Sequence, residues 1–135
     1  MSQITTHILD TTRGQPAQNV PITLFAQQAG DWQQIAEGKT NSDGRLPGLV
    51  AEHEKLAAGI YRLHFATASY FKANNENGFY PYVDIVFEID DSGTHYHVPL
   101  LLTAFGYSTY RGSVGFANGP NSDPNFCRVA AIGNS

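Results

Sequence analysis

Residues 83–102 read VDIVFEIDDSGTHYHVPLLL, and this stretch decides the fold. Val83, Ile85, Phe87 and Ile89 fall on one side with Asp84 and Glu88 on the other, the period-two alternation of a strand that buries one face. Asp90-Asp91-Ser92-Gly93 has the composition of a tight turn. Alternation then resumes: His95, His97, Pro99 and Leu101 share one side, and Tyr96, Val98, Leu100 and Leu102 share the other. The turn is expected to join two antiparallel strands, and the second of them has one face unlike an ordinary core.

The same period runs outward in both directions. Upstream, residues 60–66 set Tyr61, Leu63 and Phe65 against Arg62 and His64, while 20–26 align Val20, Ile22, Leu24 and Ala26. Residues 3–10 alternate Ile4, Thr6 and Ile8 against Gln3, Thr5, His7 and Leu9, which puts His7 on the face away from the core. Gly30-Asp31 separates the 20–26 strand from another at 32–39, and that one ends at TNSDGR, where Asp43-Gly44 is a strong turn signal with Arg45 just beyond. Residues 50–57 fit neither a helix nor a strand cleanly. TASYFKANNENG, residues 67–78, predicts about two helical turns with Thr67 as N-cap. A loop at Thr103–Gly106 leads to a last strand at 107–113, again as a short antiparallel connection. Seven or eight short strands with one short helix predict an all-β, two-sheet antiparallel β-sandwich, because a parallel α/β fold needs a helix between most strands.

Length and composition bound what this sandwich does. At 135 residues the chain suits one domain, with residues 1–113 as the domain and 114–135 as a C-terminal extension, expected to be loosely ordered, that carries three Gly, two Pro and four Asn without a sustained period. A net charge of −4 with no Lys/Arg cluster argues against nucleic acid, whose phosphates demand a cationic stripe. No run of about 18 apolar residues suits a membrane span, and MSQITTHILD lacks a basic segment followed by an apolar one, so a cytoplasmic protein is expected. Cys127 is the only cysteine, so packing alone must hold the fold.

The candidate chemistry comes from the few ionisable groups inside these strands. His7 and His97 in a cleft suit general acid and base roles, since imidazole exchanges protons near neutral pH. Arg45 adds a fixed cation for an anionic or carbonyl-rich substrate. Together they sketch hydrolysis without a metal. Against this, a strand histidine more often serves as a surface or hydrogen-bonded structural residue, and spacing alone favours that reading. His95-x-His97 offers two imidazoles to one metal ion, but no Cys pair or carboxylate stands at a zinc spacing. Ser113 or Ser108 as a nucleophile lacks the GxSxG turn, and alternation puts Tyr110 and Ser113 on opposite faces unless the strand bends or ends there. Tyr70, Phe71, Phe79, Tyr80 and Tyr82 read as core and strand-end packing, and Glu52, Glu54, Asp90 and Asp91 as solvated carboxylates.

Three separated segments, THILDTTRGQPA at 6–17, TNSDGR at 40–45 and HVPLLLTAFGYSTYRGS at 97–113, resemble the transthyretin-like 5-hydroxyisourate hydrolases of purine catabolism, in order and from about Ile4 to Ser113. The resemblance implies a prealbumin-like sandwich and a homotetramer with active sites in clefts across subunit interfaces. It implies hydrolytic opening of 5-hydroxyisourate at an amide-type C–N bond, giving 2-oxo-4-hydroxy-4-carboxy-5-ureidoimidazoline on the route from urate to allantoin, with no cofactor. The family's motif residues fall on His7, Arg45, His97, Tyr110 and Ser113. On this reading His97, supported by Ser113, helps deprotonate the attacking water, His7 and Arg45 bind the ring oxygens, and Tyr110 anchors substrate. The hormone carrier transthyretin shares the fold and is expected to lack these histidines and the Tyr-Arg-Gly-Ser end. A non-catalytic small-ligand carrier is therefore the alternative, and a purely structural interaction domain a third reading. The family pattern stops near Tyr-Arg-Gly-Ser, whereas this chain continues for 22 residues, expected to leave the cleft.

Overall fold

The computed structural model describes residues 2–112, which form two four-stranded sheets packed face to face with one short helix. The first sheet contains β1 (Ile4–Asp10), the two-residue β2 (Gln15–Pro16), β7 (Tyr96–Leu102) and β8 (Tyr107–Thr109), in the order β2-β1-β7-β8. The second contains β3 (Pro21–Gln28), β4 (Asp31–Lys39), β5 (Gly59–Phe65) and β6 (Val83–Ile89), in the order β4-β3-β5-β6. Burial follows the alternation: Ile4, Ile8 and Leu100 of the first sheet and Ile22, Leu24, Leu63 and Phe65 of the second are fully enclosed between the layers. Burying such side chains is worth about 1.5–3 kcal/mol each, which is what fixes the strand registers.

The helix α1 (Thr67–Ala73) lies between β5 and β6 and buries Tyr70 and Phe71. Tyr70 reaches the end of β1, where its hydroxyl donates to Asp10 Oδ2 at 2.6 Å. Asp10 is buried and also accepts from the backbone N–H groups of Thr12 and Arg13, both at 3.1 Å, with the Arg13 guanidinium 3.3 Å away. A buried carboxylate survives only with such partners.

Four expectations are corrected. The sandwich is not wholly antiparallel, because β1 and β7 pair in parallel from Ile4↔Tyr96 to Asp10↔Leu102. Alternation reports which face is buried and carries no information on strand direction. The Asp90–Gly93 turn is not a hairpin: β6 and β7 belong to different sheets, so the turn carries the chain across the sandwich, while β7 and β8 are antiparallel neighbours as expected. Thr67 does not cap the helix. Ala66 occupies the cap position without a side-chain bond, and Thr67 is turned inward, fully buried, with its hydroxyl unpartnered. The last strand ends earlier than expected, at Thr109, with an isolated bridge between His97 and Gly112 beyond it. The aromatic run is core and strand-end packing as expected, with Tyr70 and Phe71 buried and Phe79, Tyr80 and Tyr82 exposed ahead of β6. Residues 50–57 form neither helix nor strand. The 114–135 extension lies outside the described residues.

Candidate active site

The outer face of the first sheet gathers the candidate residues. β1 is followed on one side by the turn at Asp43-Gly44, whose carbonyl at Gly44 accepts the Ile8 N–H at 2.8 Å. Gly44 has φ +74, and a Cβ there would stand 2.5 Å from the Ile8 carbonyl oxygen, so only glycine lets the turn lie this close. The result is an antiparallel bridge between His7 and Arg45. On the other side of β1, His7 is paired with Pro99, and Thr5 with His97. The β7–β8 ladder then runs from Leu102↔Tyr107 through Leu100↔Thr109 to the bridge His97↔Gly112, a constant register that places Tyr110 opposite Pro99. Two adjacent rows therefore cross the sheet: Arg45, His7, Pro99 and Tyr110 in one, and Thr5, His97 and Gly112 in the next.

His97 is the most enclosed of these groups, only 7% exposed. Its Nδ1 lies 2.8 Å from the Thr5 hydroxyl, and its ring is covered along one edge by Gly112, where a Cβ would come within 2.6 Å of Cδ2. The Gly112 N–H donates to the His97 carbonyl at 2.8 Å, which holds that cover in place. Burial holds the pKa of His97 down at about 4, helped by the cation of Arg45 and the neighbouring imidazoles of His7 and His95. His7 is lowered too, first by burial and then by Arg45, against a hydrogen bond to the Asp43 backbone and the Asp43 charge, which raise it. Both imidazoles are thus neutral at neutral pH and carry a free lone pair beside a permanent cation. Burial raises the Tyr110 phenol, which stays protonated.

Of the residues expected from sequence, His7, Arg45 and His97 come together; Tyr110 stands opposite Pro99 by register but lines a hollow with Ile85, Phe87, Tyr96 and Val98; and Ser113 lies outside the described residues, one position beyond Gly112. Ser108 pairs with Leu101, a row further on. His95 and His97 meet through a shared hydroxyl: Thr5 Oγ1 is 3.0 Å from His95 Nε2. Among the described residues no group of three or more His, Cys, Asp or Glu side chains is placed to hold a metal ion. Sequence reasoning missed Thr5 and Gly112. A threonine inside a strand is ordinary, and its partner 92 positions away becomes visible only through the parallel register.

Residues 4–112 match the model of the HIUase/Transthyretin family. The chain is 46% identical over 112 residues to a probable 5-hydroxyisourate hydrolase of Caenorhabditis elegans, an alignment covering 83% of this chain and 82% of that one. Among solved structures, the 5-hydroxyisourate hydrolase of Klebsiella pneumoniae superposes with a TM-score of 0.73 at 35% identity, covering 83% of this chain and all of that one. Sea bream transthyretin in complex with thyroxine superposes with a TM-score of 0.77 at 32% identity, covering 82% and 94%. Matched over nearly all of its described length by the family model, and by relatives well above 30% identity, the chain belongs to the HIUase/Transthyretin family.

Proposed function

We propose that this protein hydrolyses 5-hydroxyisourate, opening its six-membered ring at an amide-type C–N bond to give 2-oxo-4-hydroxy-4-carboxy-5-ureidoimidazoline. The observation that carries the reading is the pair of neutral imidazoles, His7 and His97, aligned beside Arg45 on one sheet face. The curated relatives named 5-hydroxyisourate hydrolase, at 43% and 44% identity, support an enzyme over a carrier.

In the proposed mechanism His97 takes a proton from water as the water oxygen bonds to the ring carbonyl carbon. The C–N bond then breaks and the leaving nitrogen takes the proton back. Arg45 and His7 face the carbonyl oxygen and offset the charge that builds there. The two effects reinforce one another. The Arg45 cation depresses the basicity of His97, and an oxyanion forming beside Arg45 cancels that field, so His97 becomes a stronger base as the transition state is approached. Tyr110 anchors the substrate, and Ser113 supports His97. The same proposal includes one hydrolase domain over residues 1–113, a homotetramer with sites shared between subunits, and a cytoplasmic home in keeping with a fold held by packing alone.

The test is the ultraviolet decay of 5-hydroxyisourate generated in place by urate oxidase, followed with the protein and with His97→Ala. Acceleration by the wild type should fall by about 10²–10⁴-fold in kcat in the variant. A folded wild type that leaves the spontaneous decay unchanged would refute hydrolysis and favour a small-ligand carrier.

A further inference from the structure

A chain of three hydrogen bonds runs from the backbone at Ser2 into the candidate base. His95 Nδ1 lies 2.7 Å from the Ser2 carbonyl oxygen, His95 Nε2 lies 3.0 Å from Thr5 Oγ1, and Thr5 Oγ1 lies 2.8 Å from His97 Nδ1. The direction of every proton follows from one end. A carbonyl oxygen only accepts, so His95 Nδ1 carries hydrogen and donates to Ser2. Neutral imidazole has one N–H, which leaves a lone pair on His95 Nε2, and the Thr5 hydroxyl donates to it. The single hydroxyl proton of Thr5 is then committed, so toward His97 the oxygen only accepts. His97 must donate from Nδ1, and its lone pair stands on Nε2.

We propose that His95 and Thr5 are positioning residues that set the tautomer of His97, holding its proton on Nδ1 so that Nε2 is the nitrogen that accepts a proton from water. The role in catalysis rests on the hydrolase reading above; the assignment of the tautomer does not. The register explains why these residues are the ones involved. Thr5 and His97 are paired across the parallel β1–β7 ladder, and His95 precedes His97 by two positions on the same face. The His95-x-His97 spacing, open to a metal reading from sequence, thus marks the two ends of a hydrogen-bond chain around one hydroxyl. Gly112 covers the Cδ2 edge of the same ring, where a Cβ would come within 2.6 Å.

The experiment is ¹⁵N–¹H correlation of the histidine rings in substrate-free full-length protein at neutral pH, with steady-state kinetics on the same samples. Three proteins are compared: the wild type, Thr5→Val, which keeps the branched shape without the hydroxyl, and Thr5→Ser, which keeps the hydroxyl. The wild type should show His97 as the Nδ1–H tautomer. Thr5→Val should show a mixture or Nε2–H, with kcat down about 10–100-fold, as is usual for removing a partner that orients a reactive histidine, and with KM little changed. Thr5→Ser should return both the Nδ1–H tautomer and most of kcat. Nε2–H in the wild type overturns the assignment, as does Nδ1–H retained in Thr5→Val. A tautomer that shifts without any fall in kcat overturns the catalytic role. Because the spectra are recorded without substrate, a wild type unable to hydrolyse 5-hydroxyisourate would refute the functional reading while leaving the tautomer to be decided on its own.

Discussion

Gly112 and His97 illustrate how narrow the tolerances at the site are. With the backbone of Gly112 bonded to the His97 carbonyl, a methyl group at position 112 has no space except by displacing the imidazole or the terminal segment. Gly112→Ala is therefore expected to lower kcat at least about tenfold, because an error of about 1 Å in a reacting group can cost 10²-fold. It should leave thermal stability nearly unchanged, since Gly112 lies beyond the last strand; differential scanning fluorimetry beside the kinetics separates the two. The pH profile supplies a further test. His97 and His7 both titrate below 6.5, so kcat/KM should stay flat as pH falls through 6.5 and decline only below it. An acid limb centred at or above 6.5 would exclude both as the controlling groups. Stability has the same sign: between 6.5 and about 4 the unfolded chain binds a proton at His97 that the folded chain refuses, so stability present above 6.5 drains away as pH falls through that window. The gap is worth about 3 kcal/mol, and urea denaturation of His97→Asn between pH 7 and 4 should decline less than the wild type by about that amount. His7 and His97 stood out in the sequence because an ionisable side chain inside an alternating strand is conspicuous, and Arg45 because it follows a strong turn signal. Thr5 did not, since its role consists of the direction of one hydroxyl proton.

The faces of β1, β3, β5 and β6 were legible for a simple reason: each of these strands buries alternate residues, and a slip of one residue would expose the whole core set. The pattern is silent on which strands pair, so the parallel β1–β7 contact and the crossing of the sandwich at 90–93 had to come from the structure. The helix start was misread because Thr67 serves the core instead of the cap, and the Ala68 N–H is satisfied by the Pro81 carbonyl at 3.2 Å. Asp10 was missed for a related reason, as an aspartate ahead of Thr-Thr-Arg-Gly looks like a turn residue, and only the docked helix shows it to be enclosed. That contact joins two elements 60 positions apart. Burial and the adjacent carboxylate raise the Tyr70 pKa, so the phenol remains a donor throughout the working pH range. Tyr70→Phe removes one donor from a carboxylate that stays buried and should cost about 1–3 kcal/mol, read as a lower urea midpoint at unchanged slope. A neutral result would mean that Arg13 and the backbone N–H groups suffice for Asp10.

At the level of the whole molecule, the surface left open by one chain is what calls for partners. Among the described residues both sheets end in strands paired on one side only, β2 and β8 in the first and β4 and β6 in the second. The end of the sandwich carries an aromatic group in which Tyr80 stacks edge-on against Phe79 at 4.9 Å and Tyr107 at 5.3 Å. The Phe79 N–H is bonded to the Ala104 carbonyl at 2.7 Å, which ties the loop before β6 to the β7–β8 turn, and at the tip of that turn Phe105 is 77% exposed. Apolar surface gathered in this way marks a contact site more often than a solvated one. If four chains assemble with the catalytic face shared between them, sedimentation should give a mass close to four times the 14.7 kDa chain. Phe105→Asp should shift the distribution to smaller species. The fold should be little affected, because an exposed side chain contributes within about 0.5 kcal/mol, and far-ultraviolet circular dichroism will show whether that holds. Specific activity of the variant should then fall on dilution while that of the wild type does not, since a site completed by a neighbour is lost when the neighbour leaves. A wild type that sediments as a single chain at full specific activity would remove both the tetramer and the shared site, and would require the rows of Arg45, His7 and His97 to complete a catalytic cleft within one subunit.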